Sequence, residues 1–230
     1  MRRTREQAEE TRQQVLAAAL AVFSRKGYSA TTLDGIAAEA GLTRGAVYWH
    51  FKGKADLYLS LLEERSRAAQ ALWQGGMEGG AAPLETLRQL LVRSVELLEE
   101  DSDYRSVLEM SWTKSEAVAE LEEPFRHKVR GIIAHVGAME SLIERAIKTH
   151  EVRPDVKPRV AARAAYALMG GLITMYLLSP ELLSPKREAP AIIDMFIQSI
   201  AVKRPTKGQK SAKAVEKRRR TAAENRPRVR

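Results

Sequence analysis

The segment from residue 31 to residue 54, TTLDGIAAEAGLTRGAVYWHFKGK, constrains the fold of this chain more than any other stretch. It places a small residue, a glycine and a branched apolar residue at a fixed spacing, namely Ala37, Gly41 and Val47. A small side chain lets two helices cross closely, and a glycine adopts the positive φ of a tight turn without strain. The branched residue then faces the small core between the helices. With Thr43 as a helix cap, the spacing predicts a helix-turn-helix whose turn lies at Gly41.

The second of these helices has a polar outer face. Arg44 and Tyr48 lie one helical turn apart on this face, and Gly45 follows Arg44 where a backbone must approach another molecule. An arginine at the start of such a helix is suited to contact base edges in the major groove of DNA. The three-residue pattern alone fits a surface arginine on an ordinary helical hairpin about equally well.

A longer string is more specific. T-T-L-x-x-I-A-x-x-A-G-x-T-R-G-A-V-Y-W-H-F, followed by K-x-x-L, resembles the DNA-binding domain of the tetracycline-repressor (TetR) family. It is most similar to the branch that represses multidrug-efflux pumps. The resemblance is strong over residues 8–62 and concerns only the architecture beyond them. It implies that Thr43 and Arg44 approach bases, while Tyr48, His50 and Lys54 bind phosphates.

Two further residues belong to the predicted DNA-binding surface. Thr31 is expected to open the second helix, with Asp34 as its reciprocal cap, and the exposed N–H groups there suit a phosphate. Trp49 adds an indole N–H beside the hydroxyl and imidazole donors. Core packing is the competing interpretation for Trp49 and Phe51; it is preferred for Phe51 and stays open for Trp49. The complete predicted set is Thr31, Thr43, Arg44, Gly45, Tyr48, Trp49, His50 and Lys54.

Helical periodicity extends over the rest of the chain, and strand signals are missing, so the predicted fold class is all-α. A first helix over 4–26, ended by Gly27, completes a three-helix DNA-binding domain over 1–53. A larger helical ligand-binding and dimerisation domain follows over 54–202, and a basic tail over 203–230. The predicted helices of the larger domain are 54–73, 84–98, 104–113, 117–150, 160–178 and 190–202, with Gly-rich residues 75–83 as a flexible linker after the first of them.

Charge is concentrated at one end of the chain. The net charge is +9, yet residues 203–230 contain 12 lysines and arginines against two glutamates, which leaves 26 basic and 27 acidic residues in 1–202. With almost no apolar residues, the tail is expected to be disordered. Attraction to phosphate is its evident capacity, and a purely solubilising terminus is the alternative.

Several classes of protein are disfavoured. The chain has no cysteine, and its four histidines lack metal-ligand spacing, so neither a disulfide nor a zinc site is expected. No nucleophile elbow or dinucleotide motif is present, and residues 75–83 lack the features of a phosphate loop. We therefore expect neither an enzyme nor a cofactor. No apolar run of membrane-spanning length and no signal peptide are recognised, which predicts a cytoplasmic protein without membrane partners.

The larger domain is rich in methionine and aromatic residues, which suit varied apolar ligands. By alignment of helices, the resemblance implies a pocket lined by Leu90, Leu108, Trp112, His135, Met139, Tyr166, Met169 and Thr174. Simple core packing is the alternative for each of them. The resemblance also implies that helices 160–178 and 190–202 form a four-helix bundle between two subunits, although the small residues of 160–178 also suit packing within one subunit.

These features together predict a homodimeric, ligand-responsive transcriptional repressor. It would bind a near-palindromic double-stranded DNA operator, be released by a small hydrophobic effector and control an efflux system. The alternative is an architectural nucleic-acid-binding protein without an effector pocket. A filled, pocketless core would favour that alternative, whereas a closed apolar cavity would favour the sensor.

Overall fold

The computed structural model describes residues 5–79, 81–112 and 119–202. Within these ranges the chain forms ten α-helices and one short 3₁₀ helix, and no strand. This confirms the predicted all-α class, whereas the predicted tail over 203–230 lies outside the described residues. The helices are α1 Arg5–Lys26, α2 Leu33–Glu39, α3 Arg44–His50, α4 Lys54–Arg65, α5 Arg67–Glu78, α6 Pro83–Glu100, α7 Ser102–Trp112, the 3₁₀ helix Ala119–Leu121, α8 Glu122–Lys148, α9 Pro158–Leu178 and α10 Pro185–Ile200.

The first three helices form the predicted helix-turn-helix unit on a shared core. Gly27 and Gly41 have positive φ of 76° and 65°, which a side-chain-bearing residue adopts only at a cost. Thr43 caps α3, since its hydroxyl oxygen accepts a hydrogen bond from the Ala46 N–H at 3.3 Å. Ile36 and Val47 are fully buried, as the spacing predicts. These local signals set the angle at which α3 leaves the turn.

The start of α2 differs from the prediction by one residue. Thr32, not Thr31, is the cap, and its hydroxyl oxygen accepts from the Gly35 N–H at 3.1 Å. The Thr31 hydroxyl instead donates to the Gly27 carbonyl at 2.6 Å, and Thr31 is only 1% exposed. The predicted role of Thr31 as a cap is therefore wrong, because its side chain closes the preceding turn.

The predicted single helix over 54–73 is two helices, and the predicted flexible linker is largely helical. Ser66 separates α4 from α5, with φ −92° and ψ 0°. α5 then continues through Gly75 and Gly76 to Glu78. Gly76 lies against Leu90 of α6, where a Cβ atom would come within 2.6 Å of a Leu90 methyl carbon. At least this glycine serves close helix packing rather than flexibility.

α6 runs through the centre of the larger domain and contacts α5, α7, α8, α9 and α10. Its Leu87, Leu91 and Leu98 are fully buried. At the surface, Arg88 of α6 donates two hydrogen bonds to the Asp194 carboxylate of α10. The domain is thus built around one central helix whose apolar face is buried.

Two helix starts in this domain involve proline. α8 begins at Glu122, so Pro124 lies in its first turn, where a proline is tolerated because no N–H is needed there. α10 begins at Pro185, five residues before the predicted start, and contains Pro190. Glu188 accepts a hydrogen bond from the Ser184 N–H at 2.8 Å and caps this earlier start. The prediction that this helix begins at Pro190 is therefore wrong, because Pro190 lies inside α10.

α9 corrects the expectation that no apolar run reaches membrane-spanning length. By length and composition alone, this 21-residue helix is apolar enough to cross a membrane, the one such helix among the described residues. However, its Ala162, Ala165 and Leu172 pack in the core of the larger domain. A core helix meets the same criteria, so they do not make α9 a membrane span.

Candidate DNA-binding surface and ligand cavity

α3 presents most of its predicted DNA contacts to solvent. Thr43, Arg44, Gly45 and Tyr48 are exposed. Trp49 is 69% exposed, which excludes the core-packing interpretation for it in the unbound protein. Its indole lies edge-on to the His50 ring, with 4.5 Å between centroids. The outer side of α3 thus carries a compact group of hydrogen-bond donors.

Phe51, which follows α3, is 2% exposed, so the preferred core interpretation is confirmed. The Arg12 guanidinium of α1 lies 5.7 Å from the centroid of its ring. Phe51 therefore anchors the end of α3 to the core rather than contributing to the outer surface.

Arg44 is oriented by neighbours on both helices of the motif. Its Nε lies 3.2 Å from Oδ1 of Asp34, and its Nη2 donates to the Tyr48 hydroxyl at 3.2 Å. The guanidinium carbon is 5.2 Å from the centroid of the Tyr48 ring. The hydrogen bond to Tyr48, and then the Asp34 carboxylate, raise the pKa of Arg44 above its usual value. The guanidinium is thus charged and aligned along the outer face of α3.

Lys54 and Thr31 are placed differently from the other predicted contacts. The Lys54 ammonium donates to the Tyr28 carbonyl at 3.2 Å and lies 4.3 Å from the centroid of the Tyr28 ring. It also lies 4.0 Å from a carboxylate oxygen of Glu120. In this conformation Lys54 faces the larger domain, and Thr31 is buried, so neither side chain lies on the outer surface of α3.

Contacts between polar side chains connect the DNA-binding unit, and the helix α4 that follows it, to the rest of the larger domain. The Tyr28 hydroxyl donates to Glu120 at 2.9 Å, and burial together with this carboxylate raises the pKa of Tyr28. Arg65 of α4 pairs with Asp103 of α7 at 3.2 Å. Val107 and Met110 of α7 pack in the same core as α1 and α4. α7 therefore touches both parts of the protein.

An apolar cavity of about 190 Å³ lies between α4, α5, α6, α7, α8 and α9. Five of the eight predicted lining residues border it, namely Leu108, Trp112, His135, Tyr166 and Met169. The sequence did not reveal the contributions of α4 and α5, which include Leu62, Ser66 and Trp73. Lys128, Gly131 and Ile132 were also missed, although their spacing from His135 on α8 is the signal that could have found them.

Three predicted lining residues lie elsewhere. Met139 is fully buried in the core one turn beyond His135. The Thr174 hydroxyl donates to the Gly170 carbonyl of its own helix at 2.8 Å, and Thr174 does not border the cavity. Leu90 borders a separate groove beside Gly75 and Gly76. That groove has no aromatic side chain in its lining, whereas the apolar cavity has several, so we consider the apolar cavity the better ligand site.

The buried polar groups on one side of the cavity are satisfied within the protein. The Trp73 indole N–H donates to the Ser94 hydroxyl at 3.0 Å, and Ser94 donates to the Leu90 carbonyl at 2.7 Å. His135 Nδ1 lies 2.9 Å from the Gly131 carbonyl. Burial raises the pKa of Tyr104 to about 12, so this phenol stays neutral at physiological pH.

A different side of the cavity carries charge. The Lys128 ammonium donates to the Ser111 carbonyl at 2.8 Å and lies 5.3 Å from the centroid of the Trp112 ring. Burial lowers the pKa of Lys128. Glu63 and His127 also border the cavity and lie 3.5 Å apart. The cavity thus combines an apolar body with a few polar groups, the usual composition of a small-molecule site.

α9 and α10 expose apolar side chains on the outside of the larger domain. Val160, Leu178 and Met195 are between 60% and 72% exposed. Exposed apolar side chains of this size on two successive helices are candidates for burial against another molecule. Elsewhere, within residues 5–79, 81–112 and 119–202, no three His, Asp or Glu side chains are grouped so that they could hold a metal ion.

Comparison with known proteins agrees with this architecture. Residues 15–61 match the bacterial regulatory proteins of the tetR family, and residues 82–202 match the C-terminal region of MAATS-type transcriptional repressors. The transcriptional regulator AcrR of Shigella flexneri is 30% identical over 198 residues, which cover 86% of this chain and 92% of AcrR. The regulator TtgR of Pseudomonas putida is 33% identical over 183 residues, which cover 79% of this chain and 87% of TtgR.

Two solved structures are similar over most of the chain. NalD, the secondary repressor of the MexAB-OprM multidrug efflux pump of Pseudomonas aeruginosa, superposes with a TM-score of 0.78 at 31% identity, covering 86% of this chain and 98% of NalD. The structure of SmeT in complex with triclosan superposes with a TM-score of 0.74 at 30% identity, covering 84% of this chain and 92% of SmeT. These matches confirm the resemblance derived from residues 31–54. The chain therefore belongs to the tetR family of bacterial regulatory proteins.

Proposed function

We propose that this protein is a dimeric transcriptional repressor that binds a near-palindromic operator and is released by a small hydrophobic effector. The observation that carries the proposal is the apolar cavity, which lies in a domain separate from the exposed face of α3. An architectural DNA-binding protein would have no need of this cavity, and a filled core would serve it better.

The DNA-binding step is attributed to α3. Arg44 and Tyr48 would approach base edges and phosphates in the major groove, with Thr43 and Gly45 at the helix start and Trp49 and His50 at its end. Lys54 would reach a phosphate only after leaving Glu120. A two-fold dimer would place two such helices in successive major grooves, which explains the expected symmetry of the operator.

Dimerisation is attributed to α9 and α10. Their exposed Val160, Leu178 and Met195 would be buried against the same helices of a second subunit. A two-fold interface uses the same surface on both subunits, so each of these side chains would be covered twice in the dimer. A cytoplasmic location fits this role, because the operator is found there.

Effector release is attributed to widening of the cavity. Pockets for drug-sized ligands measure about 300–1,000 Å³, so we expect a cavity of about 190 Å³ to widen around such a ligand. Leu62 of α4 and Ser66, the residue at which α4 ends, form part of the wall of this cavity. α4 begins directly after the DNA-binding unit, so displacement of this wall would change the position of α3. Such a ligand shifts the population toward conformers that bind the operator weakly.

The similar proteins support an efflux-related role. NalD represses a multidrug efflux pump, and SmeT, which is 30% identical to this chain, has been solved with triclosan. We propose that this protein likewise controls an efflux system. Export of the effector would then be the response to its presence.

The proposal is tested by selecting bound sequences from a random DNA pool and measuring affinity for the selected operator by fluorescence anisotropy. Triclosan is the first compound to titrate, and isothermal titration calorimetry shows whether it binds. We expect a palindromic preference and a saturable loss of operator affinity as the compound binds. A ligand that occupies the cavity but leaves operator affinity unchanged would contradict the sensor function and favour the architectural alternative.

A further inference from the structure

Lys128 is an unusual component of an apolar cavity. It lies on α8 and is half-buried, and its ammonium is fixed between the Ser111 carbonyl and the ring of Trp112, both near the end of α7. A lysine ammonium has three N–H donors, and the carbonyl uses one of them. No other acceptor of this ammonium is found among residues 5–79, 81–112 and 119–202, so we take the remaining donors to face the cavity.

No carboxylate compensates this charge within the described part of the chain. The neighbouring basic side chains of α8 have carboxylate partners: Arg126 pairs with Glu122, Arg130 with Glu123, and His127 lies beside Glu63. For Lys128 no ion pair is found in residues 5–79, 81–112 and 119–202, and its nearest polar partner is a neutral carbonyl. Partial burial of a cation costs hydration free energy, and an anion bound in the cavity beside Lys128 would compensate part of that cost.

We propose that the cavity selects aromatic weak acids, whose anionic group pairs with the Lys128 ammonium while the ring packs against Trp112, Leu108 and Met169. This inference rests on the proposed effector cavity and specifies the chemical class of its ligand. A charge-assisted hydrogen bond is about twice as strong as a neutral one, and a dry environment strengthens it further.

The size of the cavity limits the apolar part of the ligand. A cavity of about 150 Å³ accommodates benzene, so about 190 Å³ suits a compact aromatic of one or two rings before the walls must move. Larger acids would bind only with widening, which is the movement that the proposed release requires.

A cationic ligand is the opposite possibility, because Glu63 also borders the cavity. Glu63 is half exposed and already lies 3.5 Å from His127. An exposed carboxylate is screened by water and salt, whereas Lys128 lies deeper, against the Trp112 ring. The geometry therefore favours anions.

The test compares three ligands with the same ring system: naphthalene-2-carboxylate, naphthalene-2-carboxamide and 2-naphthylmethylamine. Isothermal titration calorimetry on the full chain at constant pH and salt gives each dissociation constant. We expect the carboxylate to bind roughly tenfold more tightly than the amide, and the amine to bind most weakly.

Two variants assign the effect to Lys128. Lys128→Met keeps most of the apolar stem and removes the charge, and it should abolish the preference for the carboxylate while leaving amide affinity within about twofold. Lys148→Met is the matched control, because it removes the same charge from an exposed position about 30 Å further along α8. It should leave all three affinities unchanged.

Failure of this inference is distinguishable from failure of the proposed function. Three results would overturn the selection of acids. The unmodified protein could bind the amide as tightly as the carboxylate or more tightly, or it could bind none of the three ligands. Alternatively, Lys128→Met could keep the preference for the carboxylate. Operator release by triclosan would in each case still support the sensor. Conversely, Lys128-dependent carboxylate binding without any effect on operator affinity would support the inference and contradict the sensor.

Discussion

At the scale of single residues, the proposed contact of Arg44 with DNA requires this side chain to exchange one set of partners for another. In the unbound protein it contacts Asp34 and Tyr48, and both Arg44 and Asp34 are mostly exposed. Exposed ion pairs contribute little to stability, whereas a bidentate contact with guanine is strongly discriminating. The exchange is therefore favourable, and the existing contacts serve mainly to orient the guanidinium.

We predict that Arg44→Ala weakens binding to the selected operator roughly five- to hundredfold and relaxes preference at one position in each half-site. Fluorescence anisotropy with operator variants measures both effects. Arg130→Ala is the control, since it removes an arginine with one exposed carboxylate partner on α8. Unchanged affinity and preference in Arg44→Ala would mean that another residue reads the sequence.

Two tryptophans should separate DNA binding from the effector response. We predict that Trp112→Ala weakens the response to aromatic compounds and leaves operator affinity without ligand largely unchanged, because Trp112 borders the cavity. Trp49→Ala should weaken operator affinity and leave the response to aromatic compounds largely unchanged, because Trp49 is exposed on α3. Anisotropy titrations with and without triclosan distinguish the two.

Stability must be checked for the first variant, since truncation of a buried tryptophan costs about 3–5 kcal/mol. Urea denaturation supplies this control. A folded Trp112→Ala protein with the response of the unmodified protein would assign Trp112 to the core alone.

At the scale of helices, the paired glycines of α5 offer a direct comparison. A Cβ on Gly75 would meet nothing within 4 Å, whereas a Cβ on Gly76 would lie 2.6 Å from Leu90, which is buried in the core. We predict that Gly75→Ala stabilises the protein by about 0.5–1 kcal/mol through helix propensity. Gly76→Ala should be less stable than Gly75→Ala by about 1–3 kcal/mol because of overpacking.

Urea denaturation of the two alanine variants gives this difference directly, because the gain in helix propensity is common to both. Equal stabilities would mean that α5 and α6 separate easily at this point. In that case the original interpretation of residues 75–83 as a flexible linker would regain support.

The helices that could be predicted best from the sequence are those whose ends are marked by neighbouring residues. Gly27, Gly41 and Thr43 define the boundaries of α1 to α3 through positive φ and capping, which depend only on neighbouring residues. The break at Ser66 has no glycine or proline to mark it, and the helicity of Gly76 depends on Leu90, which is distant in sequence. Local sequence patterns therefore located the helix-turn-helix unit correctly but wrongly assigned the end of α5 to a flexible linker.

The cavity was predicted in part for the same reason. Helix alignment identified the aromatic and methionine side chains of α7 to α9, but which of them face a cavity depends on how six helices pack. Met139 illustrates this, since it continues the stripe of His135 and yet is buried completely in the core. The contribution of α4 could not be predicted, because it follows from the turn at Ser66.

At the scale of the whole molecule, α7 lies between the DNA-binding unit and the proposed effector cavity. Val107 and Met110 pack with α1 and α4, whereas Leu108 and Trp112 border the cavity. Arg65 with Asp103, and Tyr28 with Glu120, add polar contacts along the same boundary. A ligand that displaces α7 therefore acts on both groups of contacts at once, which is a physical basis for coupling between the two sites.

The distribution of charge gives the last prediction. Residues 203–230 are outside the described part of the structure, and removing them changes the net charge from +9 to −1. They contain no residue of α3 or of the cavity. If the tail binds DNA, each phosphate that it neutralises adds about 0.9 to the salt-dependence slope of the affinity.

We predict that truncation at residue 202 flattens this slope and weakens binding to operator and scrambled DNA by similar factors. Preference for the operator should survive, because Thr43 and Arg44 remain. A merely solubilising tail would instead leave slopes and affinities equal and increase aggregation. Titrating both proteins on both DNAs at several salt concentrations distinguishes these roles. A selective loss of operator preference would place sequence reading in the tail rather than in α3, because sequence-independent contacts with phosphate weaken binding to both DNAs alike.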